Sequence, residues 1–183
     1  MSELDPYRLL KTITGPADLR KLDDSQLVAL AEEMRARIAE VVSTNGGHLA
    51  SNLGICEMTI AMHIAFNFDY DRLLWDVGHQ CYPHKLITGR ADRFDTLRQA
   101  GGISGFPAPS ESEYDVFATG HAGTAISTAV GLAKGADLAG ETDRKIVAVV
   151  GDASIVNGLS MEALNTASML KRQLLIVLND NSM

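Results

Sequence analysis

With 183 residues, 46% of them apolar and 21% charged, the chain is long enough to bury a core, and its length predicts one domain. A formal charge of −7 without a basic block argues against nucleic acid or an anionic membrane as partner, so a bound anion must find local donors and a cation. No stretch approaches the roughly 18 apolar residues of a membrane span. Glu3, Asp5 and Asp18 interrupt the first residues with no apolar run of the kind that marks a signal or transit peptide. Cys56 and Cys81 lack CxxC spacing and read as reduced thiols of a cytoplasmic protein.

In chain order, Asp24 caps a predicted helix running to about Val42, with Leu27, Leu30, Met34, Ile38 and Val41 on its core face. Thr44-Asn45-Gly46-Gly47 ends it, and a second helix starts near Ser51 or Gly54 and closes around Phe66. Leu73 to Val77 reads as a strand ending at Gly78-His79. Residues 83 to 100 read as a short helix and charged surface, and the glycine-rich Gly101 to Pro107 as a loop. Asp115 to Ala118 is a weak strand, and the Ala-rich run from Thr124 to Leu138 suits a helix packed tightly on a sheet.

Ile146 to Val150 and Leu174 to Leu178 are uncharged, β-branched-rich runs suited to strands buried on both faces of a parallel sheet and joined through a helix. Ligands bind at the carboxyl ends of such strands. Asp152 and Asn181 each stand just past one of these runs. A carboxylate, an amide oxygen and a nearby backbone carbonyl form a half-shell suited to Mg²⁺, which completes its octahedron with water and substrate phosphates. The fold class is therefore α/β, a parallel sheet flanked by helices, with Mg²⁺ bridging the protein to a diphosphate.

The turn Gly151-Asp152-Ala153-Ser154, followed by Asn179-Asp180-Asn181-Ser182-Met183, resembles the thiamine-diphosphate fold motif. Further segments carry the resemblance along the chain: Gly47 to Gly54 (GHLASNLG), Trp75 to Lys85 (WDVGHQCYPHK), Gly101 to Pro107 (GGISGFP) and Glu111 to Asp115 (ESEYD). In order and in register they resemble the 1-deoxy-D-xylulose-5-phosphate synthase family, and a transketolase much less. The resemblance implies a thiamine-diphosphate-binding fold, thiamine diphosphate with Mg²⁺ as cofactors, and a homodimer. It also implies condensation of pyruvate with D-glyceraldehyde 3-phosphate, with loss of CO₂, to 1-deoxy-D-xylulose 5-phosphate, a precursor of isoprenoids, thiamine and pyridoxal.

Carried over residue by residue, the resemblance places His48 at the reacting centre as an acid/base or substrate-orienting group. It places His79 and the Gly120-His121-Ala122 segment on the cofactor, together with Ala153, Ser154 and Asn181. Asp152, Asn181 and the Met183 carbonyl become the metal ligands. His63, inside an apolar helix, and His84, after Pro83, read as structural. Two positions depart from the family pattern. Ala153 replaces the last glycine of the usual GDG, tolerable if φ stays negative because a positive φ would cost roughly 1–2 kcal/mol. Asn157-Gly158 stands where two glycines are usual, and asparagine enters the left-handed region more readily than most residues.

The resemblance further implies a pyrimidine-binding domain, with the Glu that promotes ylid formation, and a C-terminal domain, neither within residues 1–183. The chain thus reads as an incomplete N-terminal diphosphate-binding domain, inactive alone. Alternatives are a transketolase-like subunit of a split enzyme and a non-catalytic fragment.

Overall fold

A computed structural model describes residues 5–180. The chain forms two compact units: one takes it up to Ala65 and again from Gln80 to Gly105, the other takes Phe66–His79 and everything from Phe106 onward.

The first unit is helical. Helix α1 (Asp24–Asn45) starts one residue earlier than the sequence suggests, because Asp23 rather than Asp24 is its cap. The Asp23 carboxylate accepts from the Gln26 N–H while the Gln26 side chain accepts from the Asp23 N–H, a reciprocal capping box. The helix runs past Val42 and stops at Gly46, whose φ of 73° no longer fits a helix. Leu30, Met34 and Ile38 recur at four-residue spacing and are fully buried, each worth roughly 1.5–3 kcal/mol. The second predicted helix is broken in two, α2 (Ala50–Leu53) and α3 (Cys56–Ala65). Arg35 on α1 ties the break down, donating to the Leu53 carbonyl and pairing with Glu57.

From Tyr82 the chain continues through α4 (Tyr82–Lys85), a wide turn over Leu86–Arg90 and a tight helical turn over Ala91–Thr96. The expected charged surface is only partly present, since Lys85 and Arg90 are buried and Arg90 donates to the Thr88 hydroxyl at 2.7 Å. Leu86, Ile87, Phe94 and Leu97 are fully buried in the same segment, and they draw the two cationic stems inward.

The second unit is a parallel three-stranded sheet in the order β1 (Arg72–Trp75), β2 (Ile146–Gly151), β3 (Leu174–Asn179). Crossovers run through α5 (Ala125–Leu138) and then through α6 (Asp152–Ile155) and α7 (Gly158–Ala167). Ala125, Ala129 and Ala133 give α5 a face of small side chains that packs with Leu74, Ile146, Ala148 and Val150 of the sheet. Of the two apolar strand runs, only β2 is buried on both faces. β3 is partly exposed along its length, because among the described residues it pairs on one side only. The weak strand at Asp115–Ala118 does not form. Asp115 turns inward instead, and its carboxylate accepts from the Ala108 N–H at 2.8 Å.

Candidate functional site

In the second unit, Asp152, Ala153 and Ser154 stand just past the end of β2, and His79 stands in the turn after β1. β2 and β3 run in register up to the pair Gly151 and Asn179. Asp152 follows at once as the first residue of α6, half-buried, with one carboxylate oxygen accepting from the Ala153 N–H at 2.8 Å. A carboxylate oxygen is the donor type that a hard divalent cation takes. Asn181 and Met183, the other expected metal ligands, lie outside the described residues. Ala153 sits in α6 and is not among the residues of positive φ, so the loss of a glycine there carries no backbone strain. Ser154 is buried, and its carbonyl accepts from the Ser160 hydroxyl at 2.8 Å, which fastens α6 to α7.

Asn157 behaves differently from the expectation of a left-handed residue. Its backbone is extended, at φ −66° and ψ 142°, and its side chain caps α7 by accepting from the Leu159 N–H at 2.9 Å. The same side chain lies over Gly123, where a Cβ would come within 2.7 Å of its Cγ. Asn157 thereby joins the turn after β2 to the Gly120-His121-Ala122-Gly123 segment. Gly120, His121 and Ala122 are solvent-accessible, and nothing lies within 4 Å of a Cβ built on Gly120, which leaves room for a ligand to approach the backbone.

A buried carboxylate missed by the sequence reading holds this segment. Asp76, just past β1, accepts from the Gly123 N–H at 2.9 Å and the Ala125 N–H at 3.0 Å, fixing both the loop and the start of α5. The available signal was an Asp at a strand's carboxyl end before a glycine. His79 follows two unusual backbone positions, Val77 at φ 59° and Gly78 at φ 90°, with the Gly78 N–H reaching back to the Asp76 carbonyl at 2.6 Å. A β-branched residue at positive φ is strained, and such strain concentrates where a side chain must be aimed. A Cβ at Gly78 would lie 2.3 Å from the Thr119 hydroxyl and 2.4 Å from Pro107, so only glycine permits this approach of the GHQ, GFP and TGH segments.

His48 belongs to the first unit. It is exposed, in the turn between α1 and α2, and its N–H donates to the Tyr82 hydroxyl over a long 3.4 Å. Partial burial and the Arg98 charge lower its pKa from the usual histidine value, which favours the neutral, proton-accepting imidazole. His63 and His84 form a separate pair, both fully buried, with Nε2 of one and Nδ1 of the other 2.9 Å apart. Burial, then the charges of His84, Arg20 and Arg90, keeps His63 well below the ordinary histidine range. Cys56 and Cys81 are buried and not joined in a disulfide, and burial pushes the Cys56 thiol up to about 12, so it is inert near neutrality. Among the described residues, no three His, Cys, Asp or Glu side chains converge as a metal site, and no helix is long and apolar enough to cross a membrane.

A family model described as 1-deoxy-D-xylulose-5-phosphate synthase matches residues 10–183. The chain belongs to this family. It is 57% identical over 175 residues to 1-deoxy-D-xylulose-5-phosphate synthase 1 of Geobacter sulfurreducens, covering 96% of this chain and 27% of that protein. The synthases of Cupriavidus necator and Polaromonas naphthalenivorans are 58% and 56% identical over 178 residues, each match covering 97% of this chain and 28% of the relative. The chain therefore spans little more than a quarter of the length of the synthases it matches, and its likeness to them extends through both of its units.

Proposed function

We propose that the chain supplies the diphosphate- and Mg²⁺-binding part of a thiamine-diphosphate-dependent 1-deoxy-D-xylulose-5-phosphate synthase. The reaction joins pyruvate to D-glyceraldehyde 3-phosphate with release of CO₂, so that two three-carbon substrates give a five-carbon sugar phosphate. The observation that carries the reading is family membership over nearly the whole chain, together with the half-buried Asp152 carboxylate at the end of β2. Its oxygen donors fit a hard cation, and the backbone around Gly120 is open to a ligand.

When bound, thiamine diphosphate supplies the nucleophilic carbon and the electron sink for decarboxylation. Asp152, Asn181 and the Met183 carbonyl would hold the Mg²⁺. Ala153, Ser154 and the Gly120-His121-Ala122 segment would line the diphosphate, and His79 would contact the cofactor. Asp76 keeps the Gly120 segment in place by fixing the amides of Gly123 and Ala125. His48, neutral near pH 7, accepts or returns a proton at the reacting carbonyl oxygen or orients the substrate. The acting enzyme is a cytoplasmic homodimer.

Exchange tests this. Substituting this chain for the matching N-terminal segment of the Geobacter sulfurreducens relative should give a protein that forms 1-deoxy-D-xylulose 5-phosphate. His48→Ala in that protein should lower kcat by roughly 10²–10⁴-fold and leave cofactor affinity nearly unchanged. A folded, cofactor-loaded chimera with no product would refute the assignment.

A further inference from the structure

Two other segments of the first unit hold the His48 turn from beneath. Asn52 on α2 is fully buried, and both ends of its amide are engaged: Nδ2 donates to the His48 carbonyl at 2.6 Å, and Oδ1 accepts from the Tyr82 N–H at 2.9 Å. Tyr82, the first residue of α4, is also fully buried, its ring edge-on to Phe94 with centroids 6.2 Å apart. Its hydroxyl accepts from the His48 N–H. Both backbone polar groups of an exposed histidine are thus bound to two buried side chains, and a third bond ties the Asn52 side chain to the Tyr82 backbone.

The glycines before His48 cannot stiffen the turn themselves. Gly46 and Gly47 sit at φ 73° and 139°, and glycine has the widest conformational freedom of any residue. Gly47 is also where the clamp passes, since a Cβ there would come 2.7 Å from the Tyr82 hydroxyl and 3.4 Å from Arg98. Packing alone needs only the aromatic ring at position 82. The hydroxyl adds a contact to the turn that carries the chemistry.

We propose that Asn52 and Tyr82 are positioning residues for His48, fixing the backbone from which its imidazole reaches the reacting groups. This rests on His48 acting in proton transfer or substrate orientation. Neither residue touches the reactants. Their effect passes through the placement of His48, where a shift of about 1 Å can cost as much as a hundredfold in rate.

Tyr82→Phe removes the acceptor and keeps the ring, and Asn52→Ala removes the bridge. With pyruvate and D-glyceraldehyde 3-phosphate, the intact enzyme carrying Tyr82→Phe should lose roughly tenfold to a hundredfold in kcat, with KM for pyruvate and thiamine-diphosphate affinity unchanged. In nuclear magnetic resonance titrations of the chain, the His48 imidazole should titrate closer to the ordinary histidine value as the turn relaxes into water and away from Arg98. An unchanged kcat and an unchanged His48 titration in Tyr82→Phe would overturn the proposal. So would a fall in kcat matched by an equal loss of cofactor affinity, which marks general distortion. If Asn52→Ala does not fold, Tyr82→Phe decides alone. Turnover retained by His48→Ala would refute the role of the histidine itself, and is distinguishable because the titration in Tyr82→Phe still reads the clamp.

Discussion

The Asp76 carboxylate is buried and accepts two backbone N–H groups from residues 47 and 49 positions further along the chain. A charge in such a place is tolerable only because donors surround it, and removing it strands those donors. Asp76→Ala should cost about 3 kcal/mol of stability, read as a shift of the urea midpoint, and weaken thiamine-diphosphate binding by loosening residues 120 to 123. An unchanged midpoint would show that the loop does not depend on this carboxylate. The positions of Asp152, just past an apolar strand, and of His79, in the turn after another, were legible in the sequence. Asp76, Asn52 and Tyr82 act on the backbone of distant residues, and neither periodicity nor motif spacing reveals such a partner. Asn157 suits left-handed backbone by residue type, whereas in the fold it caps α7 locally and wedges over Gly123, and only the wedge is a tertiary contact.

Among the elements, the buried His63 and His84 pair places a titratable contact where α3 meets α4. The native His63 resists protonation, whereas an unfolded histidine takes its proton near pH 6.5. Below that pH the unfolded chain binds more protons than the native one. Stability is therefore undiminished above about 6.5 and declines as pH falls from there toward the depressed native value. Urea midpoints should fall between pH 7 and pH 5, and His63→Leu should flatten that fall. A wild-type midpoint constant over this range would contradict the burial of a neutral His63. Strands β2 and β3 and helices α1 and α5 were readable because the spacing and type of their apolar and small residues agree with the fold. The expected strand at Asp115–Ala118 had no such support. Its Asp115 N–H is used in a turn on the Ser112 carbonyl, and its carboxylate accepts from the Ala108 N–H. The division of the second helix into α2 and α3 was equally hidden, since it depends on Arg35 reaching the Leu53 carbonyl.

At the scale of the whole molecule, apolar side chains stand in solvent along α7, β3 and their connections: Val156 at 70% exposure, Met161 at 50%, Met169 at 80% and Leu178 at 50%. β3 carries no charged residue and pairs on one side only among the described residues, an arrangement that favours association through strand edges and apolar surface. Sedimentation of the chain at micromolar concentration should therefore show dimers or larger species, and a cooperatively unfolding monomer would contradict this. On the proposed function, Asp152, with Asn181 and the Met183 carbonyl, holds a Mg²⁺-bridged diphosphate. Calorimetric titration of thiamine diphosphate into the chain, with and without Mg²⁺, tests it most directly. Binding should require Mg²⁺ and should be abolished in Asp152→Ala. No binding by the folded wild-type chain in Mg²⁺, or binding indifferent to both Mg²⁺ and Asp152, would contradict the claim.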